Sequence, residues 1–201
     1  KFLVNEKYNK KMIFRSLIKN SFNKKTKIIY YTPTWRPYEY TFPLNEMEGF
    51  NYHKFDNFLI KNNIFFFYTL HSERNLNDIP LNLNNIKLID VNRTPLFDTN
   101  SFMNETDILI NDYSTSSTDY CLLSKPQIFF MPDYDYYNKV KGFLDYYKKI
   151  IPGQEIKNYN EFITLIKIYL NQPELYKKKF ISKIDKYLIK YYDISKNNSL
   201  E

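Results

Sequence analysis

The sequence predicts an α/β domain built on a parallel sheet with helices on both faces, and two observations lead there. Five short runs of Ile, Leu, Phe and Tyr are apolar at successive positions rather than at alternate ones. That pattern suits strands buried on both faces. Amphipathic stretches with helical spacing alternate with these runs, the signature of strand–helix–strand crossovers. Glycine is scarce, with only 3 in 201 residues, which argues against a glycine-rich phosphate loop.

In chain order, Lys27 to Thr32 (KIIYYT) reads as the first strand and is ended by Pro33. Tyr52 to Lys61 places Phe55, Phe58 and Leu59 at helical spacing. Ile64 to Leu70 (IFFFYTL) is the second strand. A loop rich in Asn, Asp and Pro, Asn75 to Asn85, leads into a third, Ile86 to Val91 (IKLIDV). Asp107 to Asn111 (DILIN) is the fourth, Thr115 to Leu123 a helix, and Pro126 to Met131 (PQIFFM) the fifth strand. Two helices, Tyr159 to Leu170 and Pro173 to Tyr192, close the domain, with proline at the start of the second. The whole is Rossmann-like. Residues 27–192 are expected to form this domain. Residues 1–26 are expected to be a linker or helix leading in from a preceding domain, and residues 193–201 a tail whose Leu200-Glu201 resembles a cloning scar.

Lys and Arg number 29 against 22 Asp and Glu, for a net charge of +7. Only four of the basic residues are arginine (Arg15, Arg36, Arg74 and Arg93). Base and phosphate readers lean on arginine forks, so nucleic acid is disfavoured as a partner. An anionic small molecule or a lipid headgroup surface suits the charge better. The lone cysteine, Cys121, cannot form an internal disulfide and fits a reducing cytoplasm. No apolar run reaches the ~18 residues of a membrane span.

In parallel sheets ligands bind beyond the carboxyl ends of the strands. The places to examine are therefore Thr34 to Arg36, His71, Asn92 to Thr94, Asp112 to Ser117 and Pro132 to Asp135. Five hydroxyl residues in a row, Ser114 to Thr118, open the helix after the fourth strand. A helix start offers free N–H groups and the positive end of the dipole, so Ser114, Thr115 and Ser116 could hold a phosphate. They could equally cap the helix, although five hydroxyls exceed what a cap requires. Asp112 could orient this loop, bind a substrate hydroxyl or cap. Asp119, one turn further on, is either structural or faces a ribose. Arg36 could fork onto a phosphate, stack on a base or form a surface ion pair, and Thr34 could cap or meet the same anion. His71 is either a loop histidine or a group that exchanges a proton or stabilises phosphate charge. His53 lies within a helix and reads as surface or core. Cys121 has no paired histidine signature and reads as a small buried residue. The spacing of His and Cys suits no zinc site, and no metal is expected.

The run TDILINDYSTSSTDYCLLSKPQIFF from Thr106 to Phe130, followed by Asp133, Tyr136-Tyr137, Gly142-Phe143, Asp145-Tyr146 and Pro152-Gly153, resembles the C-terminal signature of the CDP-glycerol glycerophosphotransferases. The segment YTPTWR, Tyr31 to Arg36, is similar to that family's first strand of the same domain. The resemblance spans Lys27 to Leu170. It implies a two-domain GT-B architecture of which this chain is the C-terminal, nucleotide-binding half, with the active site in the cleft between halves. It implies glycerol phosphate transfer from CDP-glycerol, the donor substrate, with no separate cofactor. The implied acceptor is a polyol phosphate or glycan hydroxyl, lipid-linked or free, of a teichoic acid or capsule-like polymer.

The resemblance also places a functional histidine at His71, where the family often has a following Pro and this chain has Ser72. The family's second histidine, in a His-Gly-Thr-Pro motif of the N-terminal half, is absent from this sequence. The missing half is therefore an implied partner, and the chain alone is expected to bind nucleotide weakly without turnover. Other readings are a GT-B transferase using CDP-ribitol or a nucleotide sugar, and a non-catalytic module for an anionic polymer or membrane. The basic helix Tyr176 to Tyr192 is expected either to pack back on the domain or to lie peripherally on the cytoplasmic face of a membrane.

Overall fold

The computed structural model describes residues 25–36, 42–69, 82–89, 98–143 and 147–192. Among the described residues six strands form one sheet: β1 (Lys27–Tyr31), β2 (Ile64–Thr69), β3 (Ile86–Ile89), β4 (Ile108–Asn111), β5 (Gln127–Phe130) and β6 (Gln154–Ile156). Their spatial order is β3-β2-β1-β4-β5-β6 and every pairing is parallel. This is the doubly wound order of dinucleotide-binding folds, with its reversal between β1 and β4.

The helices are α1 (Tyr52–Lys61), α2 (Thr99–Glu105), α3 (Ser116–Cys121), α4 (Tyr134–Lys141), α5 (Tyr147–Ile150), α6 (Tyr159–Asn171) and α7 (Pro173–Tyr192). Strand side chains alternate between two cores. Ile29, Tyr31, Phe66 and Ile110 pack with Phe55 of α1, Phe162 and Ile166 of α6, and Tyr176, Phe180 and Ile184 of α7. Ile28, Tyr30, Phe67 and Leu109 face the other way, onto Phe102 and Met103 of α2 and Tyr120 of α3. Both faces are covered, which explains why the strands read as unbroken apolar runs.

Local signals start the helices where they start. The Asn51 side chain accepts from Lys54 N at 2.9 Å before α1. Asn158 accepts from Glu161 N at 3.0 Å before α6, while Glu161 accepts from Lys157 N at 2.8 Å. These are N-caps, the second with a reciprocal carboxylate.

The sequence gives no strand at Gln154–Ile156 and no helix at α2, α4 or α5. β6 has three residues and pairs only with β5, so no periodicity marks it. Helix α7 packs back on the domain through Tyr176, Phe180, Ile184 and Tyr187. Among the described residues no helix is long and apolar enough to cross a membrane. The expected lead-in segment and the tail lie outside the described residues, save for Lys25 and Thr26.

Candidate functional site

The crevice where the strand order reverses is bordered by the ends of β1 and β4. A buried polar ladder runs beneath it. Thr32 Oγ1 donates to Asn111 Oδ1 at 3.1 Å, Asn111 Nδ2 to Gln127 Oε1 at 3.0 Å, and Gln127 Nε2 to the Ser117 carbonyl at 3.1 Å. The ladder joins β1, β4 and β5 to the first turn of α3, and so sets that turn against the sheet.

A second network lies at the strand ends. The Asp112 carboxylate accepts from Thr34 N at 3.0 Å, from Thr34 Oγ1 at 2.7 Å and from the Tyr113 N–H. It also accepts from Arg36 Nη1. The remaining prongs of Arg36 meet Asp133, Nε to Oδ2 at 2.9 Å and Nη2 to Oδ1 at 2.8 Å. Tyr113 donates its hydroxyl to Asp133 Oδ1 at 2.9 Å. The guanidinium lies 5.0 Å from the Tyr113 ring centroid and 5.6 Å from that of Tyr137. Burial alone would lower the Arg36 pKa, but Asp112 and Asp133 outweigh it and hold the cation charged. Burial, then the Asp133 charge, pushes the Tyr113 phenol up, so it stays a donor.

This geometry gives three of the candidate residues their places. The Arg36 and Asp112 side chains are both 0 % exposed. Arg36 is thus neither an open phosphate fork nor a surface ion pair: its donors point at two buried carboxylates. Thr34 gives both its N–H and its hydroxyl to Asp112. Asp112 takes the loop-orienting part of the three roles open to it. All three sit together, one layer beneath the turn that follows β4.

That turn carries the hydroxyls. Ser114 Oγ accepts from Ser116 N at 3.2 Å and donates to Ser116 Oγ at 3.0 Å, so Ser114 closes the turn as a cap. Thr115 makes no side-chain capping bond and is exposed. The Ser117 hydroxyl is buried with no hydrogen-bond partner, although the residue is only 2 % exposed. Such a group is costly to leave unmet.

The turn opens on a cleft of about 520 Å³. One wall is Tyr113 to Thr115 with Ser117 to Asp119, the second is Gly142-Phe143 with Tyr147 and Ile150, and the third is Tyr187, Tyr191 and Tyr192 of α7. Ser116 faces Ser114 and does not border it. Stacked rings brace the first two walls: Tyr113 lies on Tyr137 at 4.1 Å, and Phe143 on Tyr147 at 4.8 Å. Tyr147 donates to the Asp112 carbonyl at 2.8 Å. Asp119 lies in the cleft and accepts from the Tyr192 hydroxyl. Cys121 is buried, and burial pushes its thiol up to about 12, which suits a packed residue and not a nucleophile. His53 is exposed on α1.

His71 and Asn92 to Thr94 lie outside the described residues. Sequence reasoning did not single out Ser117, Tyr147, Tyr191 or Tyr192. The hydroxyl run did contain Ser117, but only the fold shows it as the buried member. The tyrosines are brought to the cleft by tertiary structure that no local pattern encodes.

Known proteins resemble this chain. The chain is 31% identical over 164 residues to the teichoic acid glycerol-phosphate primase of Bacillus subtilis (strain 168), covering 80% of this chain and 40% of that protein. It is 41% identical over 68 residues to the teichoic acid poly(ribitol-phosphate) polymerase of Bacillus spizizenii, covering 34% of this chain and 11% of that protein. Among solved structures it resembles the wall teichoic acid polymerase TagF, in a histidine-to-asparagine variant soaked with CDPG. The TM-score is 0.64 at 25% identity, over 92% of this chain and 44% of the polymerase. The chain therefore spans less than half the length of these relatives. With the family's sequence model matching residues 2–199, the chain belongs to the CDP-Glycerol:Poly(glycerophosphate) glycerophosphotransferase family.

Proposed function

We propose that this chain is the donor-binding, C-terminal half of a GT-B enzyme that moves glycerol phosphate from CDP-glycerol to a hydroxyl of a teichoic acid or similar surface polymer. The observation that carries the reading is the placement of the hydroxyl turn. Ser114 to Thr118, with the unpartnered Ser117 hydroxyl, stands at the topological switch point and opens on a cleft of about 520 Å³. That volume lies in the range of small-molecule sites.

In this reading the oxygen of the acceptor hydroxyl bonds to the phosphorus that bears glycerol. The bond from that phosphorus to the bridging oxygen breaks, and CMP leaves with the electron pair. The acceptor's proton passes to a base on the facing half, since the His-Gly-Thr-Pro motif is absent here. Catalysis rests on positioning and charge stabilisation.

Thr115, Ser117 and Thr118 present hydroxyls to the diphosphate, Ser114 and Ser116 hold the turn, and Asp119 meets the ribose. Thr34, Arg36 and Asp112 are positioning residues beneath it. His71 contacts the transferred phosphate or the leaving group. No basic side chain is among the described residues that border the cleft. Charge neutralisation then depends on His71 and the facing half, so the chain alone binds weakly and does not turn over. The acceptor, lipid-linked or not, approaches from that facing half, at the cytoplasmic face of the membrane.

A second donor reading, CDP-ribitol, draws on the 41% match to a poly(ribitol-phosphate) polymerase. Calorimetric titration of the chain with CDP-glycerol, CDP-ribitol and a UDP-sugar tests both. CDP-glycerol is expected to bind more tightly than the UDP-sugar. Preference for CDP-ribitol selects the second donor. Binding to anionic vesicles but to no CDP compound overturns both in favour of a non-catalytic module. In the whole enzyme, His71→Ala is expected to abolish polymer synthesis, and normal synthesis removes His71 from the mechanism.

A further inference from the structure

The end of α7 is built differently from the rest of that helix. Tyr176, Phe180, Ile184 and Tyr187 anchor it to the core. The next two aromatic residues are not anchors: Tyr191 is 48% and Tyr192 37% exposed, and both border the same cleft as the hydroxyl turn. The Tyr192 hydroxyl donates to Asp119, tying the helix end directly to the element that carries the hydroxyls. The Tyr191 ring stands 5.5 Å from that of Tyr187, and Lys190 Nζ lies 5.2 Å from its centroid.

The cleft therefore has chemically opposite walls. Hydroxyls line one, and half-exposed rings line the other. A ligand with one phosphorylated end and one flat aromatic end is oriented by such a pair of walls. We propose that Tyr191 is the stacking platform for the nucleobase of a nucleoside diphosphate, with the last turn of α7 forming the base-side wall of the donor cleft. This rests on the nucleotide reading above and adds to it where the base goes and which side chain holds it. Stacking on a ring tolerates any base, so this wall gives affinity for a base and no choice among bases.

Calorimetry of the 201-residue chain with CDP and UDP, alongside thermal unfolding, provides the test. Tyr191→Leu is expected to weaken both nucleotides by about tenfold. Tyr191→Phe keeps the ring and is expected to bind as wild type, and Tm is expected to stay unchanged in both variants. The proposal is overturned by a Leu variant that binds CDP as wild type does, or by a Phe variant as weak as the Leu variant. It is also overturned if affinity and Tm fall together in the Leu variant, which marks a structural role. Failure of the unsubstituted chain to bind any nucleotide brings down the nucleotide reading itself, and is seen before any substitution is made.

Discussion

Arg36 grips Asp133 in a two-pronged ion pair closed to solvent, Nε to Oδ2 at 2.9 Å and Nη2 to Oδ1 at 2.8 Å, while its third prong holds Asp112. One side chain after β1 thereby fastens the ends of β4 and β5. Removing the cation strands two buried carboxylates. Arg36→Ala is expected to destabilise the domain by about 3–5 kcal/mol, the scale for breaking a buried ion pair from one side. Arg36→Lys keeps the charge but loses the fork, and is expected to fall between. Urea unfolding reads both, and an Ala variant as stable as wild type refutes the role.

Gln127 makes a narrower link. It accepts from Asn111 and donates to the Ser117 carbonyl. Gln127→Met fills a similar volume but leaves both partners without it in a site that is 0 % exposed. The expected cost is about 1–3 kcal/mol. Because the link sets the hydroxyl turn, CDP affinity is expected to fall in molecules that remain folded. Affinity equal to wild type at reduced stability separates the ladder from the site.

Two glycines are fixed for different reasons. A Cβ on Gly153 meets the Gln127 carbonyl oxygen at 2.5 Å and the Phe129 ring at 2.8 Å. Gly142 ends α4 at φ 76, ψ 144, where a Cβ meets no atom but the backbone region suits glycine alone. Gly153→Ala is expected to cost about 1–3 kcal/mol through overpacking of β5 against the turn before β6. Gly142→Ala is expected to cost a similar amount through backbone strain. Chemical denaturation measures each. The discriminating variant is Gly153→Ala with Phe129→Leu, which is expected to recover part of the loss, whereas Phe129→Leu recovers none in Gly142→Ala.

Much of the fold was legible because burial on both sheet faces writes itself into composition. KIIYY, IFFFYT and QIFF are strands here, and their observed ends lie within a residue or two of those expected. Tyr52–Lys61 matches its periodicity to the residue. The unread elements lack such a record. β6 is an edge strand of sequence QEI, and α4, YDYYNKVK, buries only Tyr137.

The site was legible as a location and less so as roles. Hydroxyls after β4 mark the turn that borders the cleft, but nothing local says that Arg36 reaches residues 76 and 97 positions away. Nor does the spacing of α7 say that Tyr191 leaves the core and meets the cleft. Both are decided by which strand ends the sheet order brings together.

Alkaline pH is expected to unfold the domain. Burial raises the Tyr30, Tyr68 and Tyr169 phenols from 10.0 to about 12, and the Cys121 thiol from 9.0 to about 12. Above their ordinary values the unfolded chain releases protons that the folded chain keeps. Stability is then complete below pH 9 and falls as pH rises toward 12. Urea midpoints taken across that window are expected to drop steadily, with Cys121→Ser flattening the lower end. A level midpoint across the window contradicts the burial assignment.

Ser117 gives the sharpest separation of structure from function. Its hydroxyl is buried and has no partner, and the residue borders the cleft. A group kept for stability makes a bond within the domain, and this one makes none. Ser117→Ala removes an unmet polar atom and is expected to leave stability unchanged or slightly raised. If the hydroxyl serves a phosphate, the same change removes a charged hydrogen bond of about 1.5–3 kcal/mol, and CDP affinity is expected to fall by about tenfold or more. Thermal unfolding and calorimetry on one variant give the two readings. Lost stability with intact affinity assigns Ser117 to the fold, whereas intact stability with lost affinity places its hydroxyl on the donor.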